Sequence, residues 1–107
     1  MDKQEIIWVT GAKGFLGKEI CAHLEAAGKR VVGTDAELSV GDPENLERFA
    51  QEVMPTAVVN CAGIRRDATT LNNRIKAYEV NALGARNVAL AANAIGALMV
   101  QVSSDDV

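Results

Sequence analysis

The stretch Thr10-Gly11-Ala12-Lys13-Gly14-Phe15-Leu16-Gly17 decides the fold of this chain. The residues before it, Ile6 to Val9, are apolar, and such a run is typical of a strand that is buried on both faces of a parallel sheet. After the stretch, apolar residues recur at helical spacing until Gly28 and Lys29 provide a stop signal. The predicted order is therefore strand, glycine-rich turn and helix.

A glycine-rich turn that leads into a helix brings unpaired backbone N–H groups and the positive end of the helix dipole together, which suits a phosphate group. We expect Gly11 to take the tight turn, Gly14 to leave room for a pyrophosphate, and Gly17 to let the helix pack closely. A second predicted strand, Arg30–Thr34, ends at Asp35, eighteen residues after Gly17. A carboxylate at this distance typically accepts hydrogen bonds from the adenosine ribose of a dinucleotide. The alternative is a structural turn that binds no ligand.

Length and composition limit the class of protein. A chain of 107 residues forms one domain, and we treat residues 1–107 as that domain. Because 49% of the residues are apolar and only 4% aromatic, the core must consist mostly of small aliphatic side chains, which suit helices packed closely on a sheet. The net charge of −3 is scattered, which argues against a nucleic-acid partner. No apolar run approaches the ~20 residues that span a bilayer, and no secretory signal is visible, so we expect a cytoplasmic protein with no membrane partner.

The cysteine and histidine residues do not predict a metal site. Cys21 falls in the first predicted helix and Cys61 at the end of a later strand, with no Cys-x-x-Cys pair and no histidine cluster. We expect both thiols to act as small buried hydrophobes. We expect the single histidine, His23, to be a surface or cap-region residue rather than a catalytic one.

The remaining sequence continues the alternation of strands and helices. We predict a brief edge strand at Leu38–Val40, a helix that Asp42 caps and Pro43 begins, a strand from Ala57, a helix over residues 71–94 and a last strand over 97–102. This pattern predicts an α/β fold with a doubly wound parallel sheet of the Rossmann type. Numbered along the chain, the five predicted strands should lie in the order 3-2-1-4-5, with a ligand between strands 1 and 4.

Four motifs together resemble the extended short-chain dehydrogenase/reductase family. The glycine turn is similar to the family's T-G-x-x-G-x-x-G, and residues 60–63, Asn-Cys-Ala-Gly, resemble its N-x-A-G segment. Residues 80–88 are similar to its V-N-x-x-G-x-x-N-V helix, and residues 102–107 to its V-S-S-x-x-V strand end. The resemblance covers the whole chain. Within the family, the chain is most similar to the sugar-nucleotide reductases and epimerases, and among these it resembles the dTDP-4-dehydrorhamnose reductase branch.

The resemblance implies hydride transfer between a nicotinamide dinucleotide and a sugar nucleotide or a similar carbonyl or alcohol substrate. Ser104 would be the catalytic hydroxyl that hydrogen-bonds the substrate oxygen, and Asn81 would support the active-site water or backbone geometry. Asp42 would reach the adenine amino group. The cofactor-binding residues implied are Gly11, Lys13, Gly14, Phe15, Leu16, Gly17, Asp35, Asp42, Ala62 and Gly63.

The sequence departs from the family at its general acid, a tyrosine followed four positions later by a lysine. The single tyrosine, Tyr78, is followed at that spacing by Ala82, and its helical setting beside Ile75 indicates a packing role. We therefore expect the chain to be the N-terminal cofactor-binding part of a longer enzyme, incomplete at its C-terminus and inactive alone. A non-catalytic dinucleotide sensor or regulatory module, and a scaffold that has lost its ligand, remain as alternatives.

Two further expectations concern the cofactor and self-association. Asp35 places negative charge where the 2′-phosphate of NADP would lie, so we expect NAD, although Lys13 leaves NADP possible. A parallel sheet that stops after its fifth strand would leave an exposed edge and an uncovered apolar helix face, so we expect a homo-oligomer.

Overall fold

The computed structural model of this protein describes residues 5–62 and 71–102. Strands and helices alternate along these residues. In chain order they are β1 (Ile6–Thr10), α1 (Phe15–Ala26), β2 (Arg30–Thr34), α2 (Pro43–Val53), β3 (Ala57–Asn60), α3 (Leu71–Ala94) and β4 (Leu98–Gln101).

The strands form one parallel sheet in the order β2-β1-β3-β4. This confirms the predicted α/β, Rossmann-type sheet, and the four strands keep the relative order predicted for strands 2, 1, 4 and 5. The expected edge strand at Leu38–Val40 is wrong, because these residues form turns and a bend. Leu38 and Val40 pack against the core instead, and this burial explains the alternation that suggested a strand.

The main core lies between the sheet and the pair α2 and α3. Trp8 of β1 is fully buried there, and its ring lies 4.9 Å from the ring of Phe49 between centroids. Small residues of α3 complete this core, among them Ala91 and Ala92. The predominance of aliphatic side chains is what the composition predicted.

Local chemistry explains where α2 begins and ends. The Asp42 carboxylate accepts a hydrogen bond from the Asn45 N–H, and Pro43 occupies the first turn, as predicted. The helix ends at Met54, which adopts the left-handed conformation with a φ of 51°.

The tyrosine of α3 does not pack as expected. Tyr78 is 77% exposed, and Ile75 on the same helix is 47% exposed. Apolar residues occur on several faces of α3, and the face that carries Ala77, Val88 and Ala91 is the one that is buried. The predicted packing role of Tyr78 is therefore wrong within this chain.

No helix in the described residues is both long enough and apolar enough to cross a membrane.

Candidate functional site

The strand order reverses between β1 and β3, and a crevice opens at their carboxyl ends. In an open α/β sheet, ligands bind at this kind of switch point. A cavity of about 800 Å³ lies here. Its lining comes from four segments: the glycine turn (Gly11, Lys13, Gly14), the loop after β2 (Asp35, Ala36, Leu38, Ser39, Val40, Gly41), the end of β3 (Cys61, Ala62) and α3 (Val80, Asn81, Leu83).

The three glycines of the turn serve different purposes. Gly11 has a φ of +64°, and a Cβ atom there would lie 2.7 Å from the Ala62 nitrogen, so the turn and the end of β3 can approach each other only with glycine. A Cβ atom at Gly17 would collide with the carbonyl of Gly11. At Gly14, by contrast, a Cβ atom would meet only the Gly11 oxygen, at 3.4 Å. Packing within the described residues therefore does not require glycine at position 14, which lines the cavity.

The backbone N–H groups of the turn are partly occupied. Those of Ala12 and Gly14 donate to backbone carbonyls, and that of Lys13 donates to the Asp35 carboxylate at 2.9 Å. The expectation of unpaired N–H groups is thus wrong for Lys13. The N–H groups of Phe15, Leu16 and Gly17, in the first turn of α1, have no acceptor among residues 5–62 and 71–102. They provide three donors at the positive end of the helix dipole.

Asp35 lies at the opposite side of the glycine turn from β3. Its Oδ2 accepts from the Lys13 N–H, and its Oδ1 accepts from the Ala36 N–H at 2.9 Å. Each carboxylate oxygen has a second lone pair, so the group can still accept hydrogen bonds from hydroxyls. The neighbouring Glu37 accepts from the Asp35 N–H, and this hydrogen bond lowers the pKa of Glu37. The carboxylates of Asp35 and Glu37 and the ammonium group of Lys13 therefore determine the charge around the end of β2.

The other predicted site residues divide into those at the cavity and those away from it. Ala62 and Asn81 line it. Asp42 does not, and its two carboxylate oxygens accept from the backbone and side-chain nitrogens of Asn45. The side chains of Phe15 and Leu16 are exposed and do not line it either, so these residues can contribute only through their N–H groups. Gly63 and Ser104 lie outside the described residues.

A chain of three polar side chains at the carboxyl ends of the strands, buried at Thr10 and Asn60 and exposed at Gln101, was not predicted. The Thr10 hydroxyl donates to the Asn60 side-chain oxygen, and the Asn60 amide donates to the Gln101 side-chain oxygen at 2.8 Å. The Thr10 hydroxyl also accepts from the Ala62 N–H at 3.4 Å. Because Thr10 and Asn60 end neighbouring strands, this chain ties together the carboxyl ends of β1, β3 and β4. A single polar residue after the apolar run 57–59 was the sequence signal for it.

Cys61 lines the cavity, and its surroundings favour the neutral thiol. Burial raises the pKa of Cys61, and the nearby Cys21 raises it further. Both cysteines are free, and both are half-buried rather than buried as expected.

Comparisons with known proteins agree with this geometry. Residues 5–107 match the family described as RmlD substrate binding domain. The spore coat polysaccharide biosynthesis protein SpsK of Bacillus subtilis is 34% identical over 92% of this chain and 35% of its own length.

Two solved structures show the same fold with a dinucleotide. The dTDP-4-dehydrorhamnose reductase of Bacillus anthracis, solved in complex with NADP, is 30% identical with a TM-score of 0.81, over 92% of this chain and 36% of its own. The UDP-glucose 4-epimerase of Thermus thermophilus, solved in complex with NAD, is 28% identical with a TM-score of 0.75, over 85% of this chain and 34% of its own. The predicted resemblance to reductases and epimerases of the short-chain dehydrogenase/reductase family is confirmed.

This chain spans about a third of the length of these relatives. The family match nevertheless covers almost all of the 107 residues, including the glycine turn, Asp35 and the cavity-lining part of α3. The chain belongs to the RmlD substrate binding domain family.

Proposed function

We propose that this chain is the NAD(P)-binding part of a reductase that transfers hydride between nicotinamide and a sugar nucleotide or a similar carbonyl or alcohol substrate. The observation that carries the proposal is the position of Gly14 and the Asp35 carboxylate on one cavity at the switch point. Directly after Gly14, three N–H groups at the start of α1 have no acceptor among the described residues. The dinucleotides in the related reductase and epimerase structures support it.

Each end of the cavity suits a different part of a dinucleotide. The N–H groups of Phe15, Leu16 and Gly17 would donate to the diphosphate, whose charge the helix dipole also stabilises. The free lone pairs of Asp35 would accept from the adenosine ribose hydroxyls. The loop after β2 would then contact the adenine.

The nicotinamide half would extend from the glycine turn toward the end of β3. Ala62 and Asn81 of α3 both line the cavity. We include Gly63 in the proposal among the residues that contact the cofactor. When bound, the nicotinamide supplies or receives the hydride. Ser104 would donate a hydrogen bond to the reacting oxygen of the substrate. Because these 107 residues contain no tyrosine followed four positions later by lysine, we expect this chain to bind the cofactor without turnover.

The charges around Asp35 favour NAD over NADP. A 2′-phosphate beside the Asp35 carboxylate would be repelled, by about 1 kcal/mol or more at a separation of a few ångströms. Lys13 offsets part of this repulsion, so NADP binding at lower affinity is compatible with the site.

The substitution Gly14→Ala tests the proposal. A methyl group there would meet no atom of the described residues closer than 3.4 Å, so folding should be retained. Because Gly14 is the N-cap of α1, where alanine is less favoured than glycine, we expect a loss of stability of at most about 1 kcal/mol. The same methyl group would occupy the space needed by the diphosphate, so we expect the NAD⁺ affinity in isothermal titration to fall at least ~10-fold, which corresponds to ~1.4 kcal/mol.

Gly28→Ala is the matched control, because Gly28 lies after the far end of α1 with a φ of +82°. It should lower the unfolding free energy by about 1 kcal/mol and leave the NAD⁺ affinity unchanged. Wild-type affinity in the Gly14→Ala variant, or no binding of NAD⁺ or NADP⁺ by the wild-type chain, would contradict the proposed function.

A further inference from the structure

One wall of the cavity is a loop that belongs to neither a strand nor a helix. It runs over residues 35–42, between β2 and α2, and six of its first seven residues line the cavity, Asp35 among them. Hydrogen bonds between residues close in sequence determine its shape. The Leu38 N–H donates to the Asp35 carbonyl at 2.9 Å, and the Gly41 N–H donates to the Ser39 hydroxyl at 3.0 Å. These bonds give the loop its turns but do not attach it to the rest of the fold.

The loop is attached to the glycine turn by the hydrogen bond to Asp35 and to the core by Leu38. Its contact with α3 is made by Val40, which lies in a notch formed by Gly84 and Asn87. The Asn87 side-chain amide donates to the Val40 carbonyl at 3.0 Å, and Asn87 is only 4% exposed. One helical turn earlier, Gly84 leaves room for the Val40 side chain: a Cβ atom at Gly84 would lie 2.8 Å from Cγ2 of Val40. Both the backbone and the side chain of Val40 are therefore held by α3.

The same helix forms the facing part of the cavity. Val80, Asn81 and Leu83, all within one turn of Gly84, line it together with the loop. The contact between Val40 and the notch therefore fixes the distance between two lining segments, and with it the width of the cavity beyond Asp35.

We propose that Gly84 and Asn87 are positioning residues that hold Val40 in place. Through Val40 they fix the loop over residues 35–42 at the adenosine end of the cavity, so that an adenine nucleotide fits between the loop and α3. This inference rests on the proposed dinucleotide function. It assigns a role to the second half of the segment Val80–Val88, whose Gly84 and Asn87 do not line the cavity.

A double-substitution cycle tests the inference. Gly84→Ala should displace Val40, and Val40→Ala removes the Cγ2 atom with which the new methyl group collides. The ligands are ADP, which needs the adenosine end, and inorganic pyrophosphate, which needs only the turn and the start of α1. Their affinities are measured by NMR titration, together with amide hydrogen exchange over residues 36–42.

For Gly84→Ala we expect ADP affinity to fall about 10-fold, which is about 1.4 kcal/mol, while pyrophosphate affinity stays within about 2-fold. Exchange over residues 36–42 should accelerate. The double variant Gly84→Ala/Val40→Ala should recover ADP affinity to within about 3-fold of Val40→Ala alone and should slow the exchange again. Asn87→Ala should weaken ADP binding in the same selective way.

Three results would overturn the inference: unchanged ADP affinity in Gly84→Ala, equal losses for ADP and pyrophosphate, or no recovery in the double variant. The second result would mark Gly84 as a residue of general structural importance. If the wild-type chain binds neither ADP nor NAD⁺, the proposed function itself fails, and this inference fails with it.

Discussion

At the scale of single residues, the carboxylate oxygens of Asp35 serve both the folded turn and the proposed ligand. Its carboxylate accepts from the N–H groups of Lys13 and Ala36, and so it shapes the glycine turn before any ligand arrives. The fixed carboxylate then presents its remaining lone pairs and its negative charge to the ribose position. We therefore expect the charge of Asp35, rather than its hydrogen bond to Lys13, to decide between the two cofactors.

Asp35→Asn removes the charge, and asparagine keeps one oxygen that can accept from the Lys13 N–H but loses the acceptor that faces the Ala36 N–H. Removing about 1 kcal/mol of repulsion should raise the ratio of NADPH to NADH affinity roughly 5-fold, as measured by fluorescence titration. Glu37→Gln removes an equal charge from an exposed neighbour and should change the ratio less than about 2-fold. An unchanged ratio in Asp35→Asn would place the ribose elsewhere.

At the scale of secondary-structure elements, the carboxyl ends of the strands are joined by side chains as well as by the sheet. Thr10, Asn60 and Gln101 link β1, β3 and β4, and the Trp8 indole N–H donates to the Thr34 hydroxyl at 2.9 Å, linking β1 to β2. Because the glycine turn and the Ala62 segment leave the sheet at these ends, the links also hold the cavity in shape.

Asn60→Ala should lower the unfolding free energy by about 1–3 kcal/mol, because it removes the partner of a buried hydroxyl and leaves a small void. Gln101→Ala breaks the next link in the same chain, but Gln101 is exposed, so we expect a loss below about 1 kcal/mol. Urea unfolding followed by the fluorescence of Trp8, the single tryptophan, measures both. Equal losses of unfolding free energy in the two variants would show that the burial of Asn60 does not determine the contribution of its hydrogen bond.

These elements also show how far the sequence could predict the structure. The strands at 6–10 and 57–60 and the glycine turn between strand and helix were predictable, because their signals are local. Residues 38–40 were not, since an apolar residue at every second position fits a strand and a loop that buries alternate side chains equally well. The contact between Asn87 and Val40 joins residues 47 apart, and no local pattern indicates which polar residue of α3 meets which loop.

At the scale of the whole molecule, apolar surface remains uncovered. The core between the sheet and the helices α2 and α3 is complete, whereas β4, the last strand of the described sheet, has Leu98 at 68% and Val100 at 45% exposure. On α3, Ile75 and Tyr78 are also exposed. Exposed apolar strand edges pair readily with another chain. We therefore expect this chain to associate with itself in solution through β4.

The substitution Leu98→Lys tests this expectation. A lysine on an edge strand opposes pairing, because its charge would be buried on association. Sedimentation velocity across a range of concentrations should show an oligomer for the wild-type chain and a shift toward monomer for Leu98→Lys. Gln51→Lys, on the exposed face of α2, adds the same charge away from β4 and should leave the distribution unchanged. A wild-type chain that stays monomeric at every concentration would refute self-association. Equal effects of the two lysines would instead point to net charge, since only one of them lies on the proposed surface.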